Sequence, residues 1–544
     1  MKKSGPISIA IAQINPTVGD LGGNAAKILS YYQKAKAQGA DLVICPELSL
    51  IGYPPEDLVL MPSFRKKTMR AVKTIAKKTA KGPALVVGSL WEENGKTYNT
   101  ALLLDGGKIL HAQHKIALPN YGIFDEKRIF STGAESKVAR WRGIKLGLLI
   151  CEDVWNGELA KNLKKQGADL LIVINASPFE TGKLAQRKKV SAQAVRQTGL
   201  PLVYVNTVGG QDDIVFDGGS FVLSSKGKIT AQLPEFSEAL TTFVISAKAG
   251  ISGKNKIPAF AGMTKEETLW RAMALGLSDY MRKNGFKGVM LGLSGGIDSA
   301  LTAAVAVDAL GADNVKGVLL PSPYTSKESV EDALASAKLL GIETMNVPIT
   351  AGMEIFDEVL SPLFKDAAWM ENLAIGGNVQ ARLRGMTLMA ISNRFGWLLL
   401  STANKSEISV GYSTLYGDSC GGYNVLKDLY KTQIYALAHW RNKRGLVIPK
   451  RSITKAPSAE LAPGQKDEDQ LPPYSLLDKI LALHIEGRMS AEEIIAVGYV
   501  KAVVEKVVKM VRLSEYKRRQ SCPGVKLSPM LFGKDRRFPL TNKW

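Results

Sequence analysis

A thiol, an amine and a carboxylate stand at the ends of three apolar runs. Cys151 closes KLGLLIC and leads straight into Glu152 and Asp153; Lys115 follows KILHAQH, and Glu47 follows DLVICP. A reactive thiol must be a thiolate, and two neighbouring carboxylates push its pKa the wrong way. Cys151 is therefore either an inert, buried hydrophobe or part of a constellation in which a cation offsets that pair. Lys115 is the candidate cation and Glu47 the candidate base. Together they would support acyl transfer: Glu47 takes the thiol proton, Cys151 attacks a carbonyl, and Lys115 holds charge on thiolate and oxyanion.

A second stretch, LGLSGGIDSALTAA, carries different chemistry. It reads as strand, turn and helix. Gly292, Gly295 and Gly296 let the backbone approach a phosphate, with Leu293 and Ile297 completing the turn. Amides at the helix start and the hydroxyls of Ser294 and Ser299 can donate to its oxygens, and Asp298 can hold Mg²⁺. The Gly-Lys-Ser/Thr ending of a Walker A loop is absent.

Elements able to position these groups are legible around them. Over residues 1–246, β-rich runs (ISIAIAQI, DLVICPEL, ALVVGSLW, TALLLD, KLGLLIC, DLLIVINAS, LVYVNT, GSFVLSS) alternate with polar helical stretches. This order predicts a layered α/β domain. Residues 247–265, rich in Gly, Lys and Pro without periodicity, read as a linker. From 266 to 544, GVMLGL, KGVLLPS, TMNVPI and WLLLSTAN, each preceded by a helical stretch, predict a parallel sheet with helices on both faces. The basic end, from SEYKRRQ onward, reads as a disordered tail or as a strap over a bound anion.

At 544 residues the chain is too long for one core. With 45% hydrophobic and 22% charged residues it has an ordinary globular composition, and no run of about 18 apolar residues suggests a membrane span. The start, MKKSGPISIAIAQI, reads as a first strand and not as a signal peptide. The four cysteines lie far apart with no CxxC pair, which predicts a reducing, cytoplasmic setting and argues against zinc. A net charge of +21 suits an anionic partner: a nucleotide, a nucleic acid or a membrane surface.

ICPELSLIGYPPEDL, HKIALPNYGIFDEKRIF and LLICEDVW, in this order, resemble the catalytic blocks of the nitrilase (carbon–nitrogen hydrolase) superfamily. The resemblance implies an αββα sandwich with Glu47 as base, Lys115 as oxyanion-stabilising lysine and Cys151 as nucleophile. Its glutaminase variety implies glutamine binding by Tyr121, Ser177 and Lys183, with Glu152 meeting the α-ammonium and Glu126 a further carboxylate near Lys115. SGGIDS resembles the signature of the N-type ATP pyrophosphatases, which implies a Rossmann-like PP-loop domain of the adenine nucleotide α-hydrolase kind.

NVQARLRGMTLMAISN, LLLSTANKSEISVGYSTLYGDSCGGYNVLKDLYKTQIY and ITKAPSAELAPGQKDEDQLPPY resemble NAD synthetases. By this resemblance Thr402, Lys431 and Ser458 contact ATP, and Asn378, Arg382, Asp418 and Lys517 address deamido-NAD⁺. Glu407 holds either Mg²⁺ or deamido-NAD⁺. The implied activity is ATP-dependent amidation of deamido-NAD⁺ with ammonia from glutamine. The implied partners are small molecules, with no nucleic acid and no membrane, and the family implies a homo-oligomer. The alternative is a nitrilase-like amidase fused to a tRNA-modifying PP-loop enzyme. The positive charge favours it; the lack of an RNA-binding module and of a second-domain cysteine pair counts against it.

Overall fold

The computed structural model of the protein describes residues 6–246, 250–253, 262–364 and 369–542. It divides into two compact units, Met1–Met263 and Thr264–Trp544.

The first unit holds a seven-stranded and a six-stranded sheet. The parallel strands Ile7–Gln13, Leu42–Ile44 and Ala84–Glu93 lie within the first, extended by antiparallel Lys96–Asp105 and Lys108–His114 on one side and Ala239–Ser246 on the other. In the second, Ile144–Ile150, Leu170–Asn175 and Leu202–Asn206 run parallel. Alternation lets each strand feed two cores. Ile9, Ile11, Ile44 and Val86 meet Leu148, Ile150, Ile172 and Val205 between the sheets. The opposite face of the first sheet packs on helices through Ile28, Tyr32, Val72 and Ile75. That of the second packs through Leu163, Ala194 and Val195. The layers are thus helix, sheet, sheet, helix.

DLVICPEL is strand only over Leu42–Ile44, because Pro46 cannot donate to a ladder and Leu48 takes a positive φ of 44°. The chain leaves the pleat there, which frees Glu47 from the sheet pattern. In the expected linker, Gly250–Gly253 instead pairs antiparallel with the Ala239–Ser246 strand; residues 247–249 and 254–261 lie outside the described residues.

The second unit carries a four-stranded parallel sheet in the spatial order Glu343–Asn346, Val315–Leu319, Val289–Gly292, Leu398–Leu399. Helices Ile297–Leu310, Lys327–Leu340 and Asn378–Phe395 accompany it. The phosphate-type turn follows Val289–Gly292, an interior strand, at its C-terminal end, where open parallel sheets bind ligands.

Over its described length the C-terminal segment is tied into the fold and is not a loose tail. Glu515 accepts hydrogen bonds from Arg518 at 2.8 Å and Arg536 at 3.1 Å, and Arg536 stacks on Phe538. Asn424 bridges to Gly524, and Asp428 accepts the amides of Leu527 and Ser528. These arginines share the one carboxylate of Glu515 inside the fold, so net charge was a poor guide to their role. No described helix is long and apolar enough to cross a membrane.

Candidate active sites

In the first unit, Glu47, Lys115 and Cys151 all follow strands. The Lys115 Nζ is buried and donates to Glu47 Oε1 at 2.8 Å and to Glu126 Oε1 at 2.7 Å. Glu47 also accepts from Asn99 Nδ2 and from the Ala176 amide, both at 2.7 Å. Burial works against the charge on Lys115, but Glu126 and Glu47 outweigh it and hold its pKa well above the usual range. Burial pushes Glu126 up to about 7 against the pull of Lys115. The Tyr53 hydroxyl donates to Glu126 at 2.8 Å, leaving Oε2 buried without a partner among the described residues.

Cys151 opens the short turn Cys151–Trp155 with a left-handed φ of 47°. Such strain in a non-glycine residue persists where surrounding structure imposes it. Burial and then the Glu47 carboxylate raise its pKa, while Lys115 lowers it. The resting sulfur is therefore a thiol, with the Glu47 carboxyl group and the fixed ammonium of Lys115 acting on it. The two carboxylates that made Cys151 doubtful have separate duties. Asp153 accepts the amides of Ile116, Ala117 and Ile150 at 3.0, 2.7 and 3.1 Å, so it ties the Cys151 turn to the segment after Lys115. Glu152 accepts from the Tyr121 hydroxyl at 3.1 and 3.0 Å.

Ser177 lies on the loop after Leu170–Asn175, its amide donating to Asn206 Oδ1 at 2.9 Å. Lys183 begins the helix Lys183–Thr198, 3.4 Å from Glu180 and 5.5 Å from the centre of the Trp155 ring.

In the second unit a cleft of about 320 Å³ opens over the SGGIDS turn. Gly295 has a φ of +79°, and a Cβ there would meet the Ser329 carbonyl oxygen at 2.2 Å, so only glycine fits. Its neighbours Gly292, Leu293, Ser294, Gly296, Ile297, Asp298 and Ser299 all line the cleft. The 14-residue helix that follows has no side-chain cap, leaving its first amides available to an anion. Ser299 Oγ braces the turn, lying 3.1 Å from Ser294 Oγ and donating to the Gly296 carbonyl at 3.0 Å.

Asp298 and Glu407 converge on one ammonium, Lys431 Nζ, with Glu407 at 3.1 Å. Asn404 donates to the other Asp298 oxygen at 3.0 Å. Burial pushes Glu407 up to about 7, with Lys431 opposing; burial disfavours the charge on Lys431, but Asp298 and Glu407 push its pKa up overall. Two carboxylates facing one cation position fit Mg²⁺, which commonly takes one or two carboxylates and completes its shell with phosphates and water. Among the described residues no group of three or more His, Cys, Asp or Glu forms a metal cage.

Thr402 and Ser458 line the same cleft, as does Asp418. Asn378, Arg382 and Lys517 touch the segment that carries Asp418. Asn378 accepts from Thr414 Oγ1 at 2.7 Å, Arg382 donates to the Leu415 carbonyl at 3.3 Å, and Lys517 donates to the carbonyls of Gly411 and Ser413. Asp418 itself accepts the Thr414 amide at 2.6 Å.

Residues 8–250 match the carbon-nitrogen hydrolase family model, and residues 269–521 match that of NAD synthase. A glutamine-dependent NAD(+) synthetase of Synechocystis sp. is 44% identical over 98% of each chain, and one of Rhodobacter capsulatus is 44% identical over the same shares. The structure of glutamine-dependent NAD+ synthetase from Acinetobacter baumannii in complex with adenosine diphosphate is 41% identical, covers 99% of each chain and superposes with a TM-score of 0.78. The chain belongs to the glutamine-dependent NAD(+) synthetase family. Its two matched segments carry the two constellations separately, and the tRNA-modifying alternative gains nothing from these likenesses.

Seen as a member of this family, the chain has polar groups at its sites that sequence reading passed over. Asn99 and the Ala176 amide hold Glu47, and Asp153 was read only as an adverse charge. Asn99 sits inside the run NTALLLD, where a polar residue in a β-rich stretch was the available signal. Nothing local marks Ala176, because it contributes a backbone amide.

Proposed function

We propose that the chain is a bifunctional enzyme. It hydrolyses L-glutamine in the first unit and uses the ammonia, with ATP, to amidate deamido-NAD⁺ to NAD⁺ in the second, releasing AMP and pyrophosphate. The observation that carries this is the pairing, in one chain, of a buried Glu47–Lys115 pair whose charges act on Cys151 with a phosphate-type turn beneath a nucleotide-sized cleft.

In the first unit Glu47 accepts the Cys151 proton as sulfur bonds to the glutamine carbonyl carbon, so a free thiolate need not accumulate. Lys115, held as an ammonium by two carboxylates, offsets the charge developing on the carbonyl oxygen. The proton held by Glu47 then passes to the departing ammonia, and water, deprotonated by Glu47, releases glutamate from the thioester. Tyr121, Glu152, Ser177 and Lys183 orient the amino-acid end of glutamine.

In the second unit the helix amides and the turn hold ATP phosphates, with Thr402, Lys431 and Ser458 around the nucleotide. The carboxylate of deamido-NAD⁺ attacks the α-phosphorus, giving an acyl adenylate and pyrophosphate; ammonia then displaces AMP. Asn378, Arg382, Asp418 and Lys517 place the dinucleotide. Asp298 and Glu407 would hold Mg²⁺, which supplies charge neutralisation at the phosphates. Ammonium is not nucleophilic, so ammonia passed within the protein is more useful than ammonia released to water.

A homo-oligomer fits the exposed apolar side chains Ile355, Val359, Leu363, Met386 and Phe395. A cytoplasmic location fits four free cysteines. The test is incubation with deamido-NAD⁺, ATP and Mg²⁺, with either glutamine or ammonium. Formation of NAD⁺ from both nitrogen sources is expected; formation from neither overturns the proposal.

A further inference from the structure

Three basic side chains line the nucleotide cleft: Arg384, Lys431 and Lys455. Lys431 is paired with Asp298 and Glu407. Lys455 lies 3.8 Å from Asp332 and donates to Ser329 Oγ at 2.7 Å. Arg384 differs. Among the described residues it makes no ion pair, and its one hydrogen bond runs from Nε to the Leu320 carbonyl at 3.1 Å. That bond fixes one edge of the guanidinium and leaves the two terminal nitrogens available.

The helix Asn378–Phe395 aims this group. Ala381, Arg384, Gly385 and Leu388 recur at helical spacing, and all four line the cleft. Arg382, two residues earlier, is exposed and bonds to Leu415 on another side of the helix. At Gly385 a Cβ would meet the carbonyl oxygens of Tyr416 and Gly417 at 2.7 and 3.0 Å, so the segment bearing Asp418 sits directly on the helix beside Arg384. Burial pulls the Arg384 pKa down to about 10, only partly opposed by Asp418 and Glu460. A secluded cation without a bonded carboxylate is costly unless a ligand supplies the anion, and a planar fork of N–H donors matches phosphate oxygens two at a time.

We propose that Arg384 is a phosphate-binding residue of the synthetase cleft, its terminal nitrogens donating to the non-bridging oxygens of a substrate phosphate. This rests on the cleft being the ATP and deamido-NAD⁺ site. Either substrate carries the required group, and measurement separates them.

Full-length Arg384→Met and Arg384→Lys variants are compared with wild type, with ammonium as nitrogen source. ATP affinity is read by calorimetry, the KM for deamido-NAD⁺ by initial rates, and glutamine hydrolysis and thermal midpoint serve as controls. Arg384→Met should weaken one substrate roughly tenfold to a hundredfold, the loss expected for a charged hydrogen bond, and Arg384→Lys should recover part of it. A loss in the ATP titration assigns the guanidinium to ATP phosphate; a loss in the KM arm assigns it to the dinucleotide phosphates. Unchanged values in both arms would overturn the proposal. So would equal losses in both variants with a lowered thermal midpoint, which mark Arg384 as a staple between helix and Leu320. If Arg384→Met does not fold, a folded Arg384→Lys with wild-type affinity for both substrates overturns it equally. Failure of wild type to make NAD⁺ would instead remove the reading of the cleft.

Discussion

The glutaminase site and the nucleotide cleft handle charge in opposite ways. In the first unit the balance is internal: Lys115 lies between Glu47 and Glu126, and Glu47 is held by two further donors. The candidate residues Glu47, Lys115 and Cys151 leave strand ends of two packed sheets, so each is fixed by a hydrophobic core. In the second unit the balance depends on what enters. Asp298 and Glu407 face an ammonium, the helix Ile297–Leu310 presents uncapped amides, and Arg384 carries an unmatched charge. A site that makes a small nucleophile can be closed and self-neutral. A site that joins two polyanions needs positive charge held in reserve.

Substitutions can break or sharpen this contrast. The largest effect is expected from Cys151→Ala, which should lower glutamine-driven NAD⁺ formation by about 10⁴ or more, as loss of a covalent nucleophile does, while ammonium-driven formation stays near wild type. Retained glutamine-driven synthesis would remove the first site from the mechanism. Lys115→Met should cost roughly 10²–10³ in the same assay through loss of the oxyanion's fixed charge, again sparing ammonium-driven synthesis; an equal fall with ammonium would mean that the two sites are not separable.

Asp298→Asn should act the other way, lowering synthesis from both nitrogen sources by about 10² through weakened charge neutralisation at the phosphates, with glutamine hydrolysis surviving. Normal ammonium-driven synthesis in this variant would contradict the assignment of the cleft. Lys517→Ala should raise the KM for deamido-NAD⁺ about tenfold to a hundredfold and leave that for glutamine unchanged, the loss of a charged hydrogen bond being about 1.5–3 kcal/mol. The exposed Arg537, which bonds to the Lys534 carbonyl, should tolerate alanine. Equal effects at both positions would point to a diffuse basic surface instead.

The smallest effect concerns pH. Burial raises Glu126 from near 4.5 to about 7 in the folded chain. The folded state thus binds more protons than the unfolded state between these values. The stability linked to this group is fully present below about pH 4.5 and is lost as pH rises through 7. Glu126→Gln should flatten that part of the stability profile in denaturant melts of the full chain at stepped pH. An unaltered slope would show that Glu126 is not the titrating group.

The strands and the α/β class of both halves were legible in the chain, because apolar runs with turn residues at their ends are local signals. Cys151, Lys115 and Glu47 stood out as chemistry-bearing residues at such ends, and SGGIDS announced a phosphate turn through its glycines. The same local view misjudged charge. It read Asp153 as a liability to Cys151, whereas its oxygens accept three backbone amides. It left open a disordered tail at the C-terminal end, whereas Arg518 and Arg536 share Glu515 inside the fold. It passed over Arg384, because only the rotation of one helix in the fold brings that residue to line the cleft.

What the sequence alone determined was which residue types stand at strand ends and helix starts, since hydrophobic periodicity and turn propensity act over a few residues. What only the tertiary structure decided was which charges meet. A carboxylate finds its ammonium across 68 residues for Glu47 and Lys115, and across 133 for Asp298 and Lys431. Electrostatic interaction depends on distance in space and on burial, and neither is written in the order of the residues.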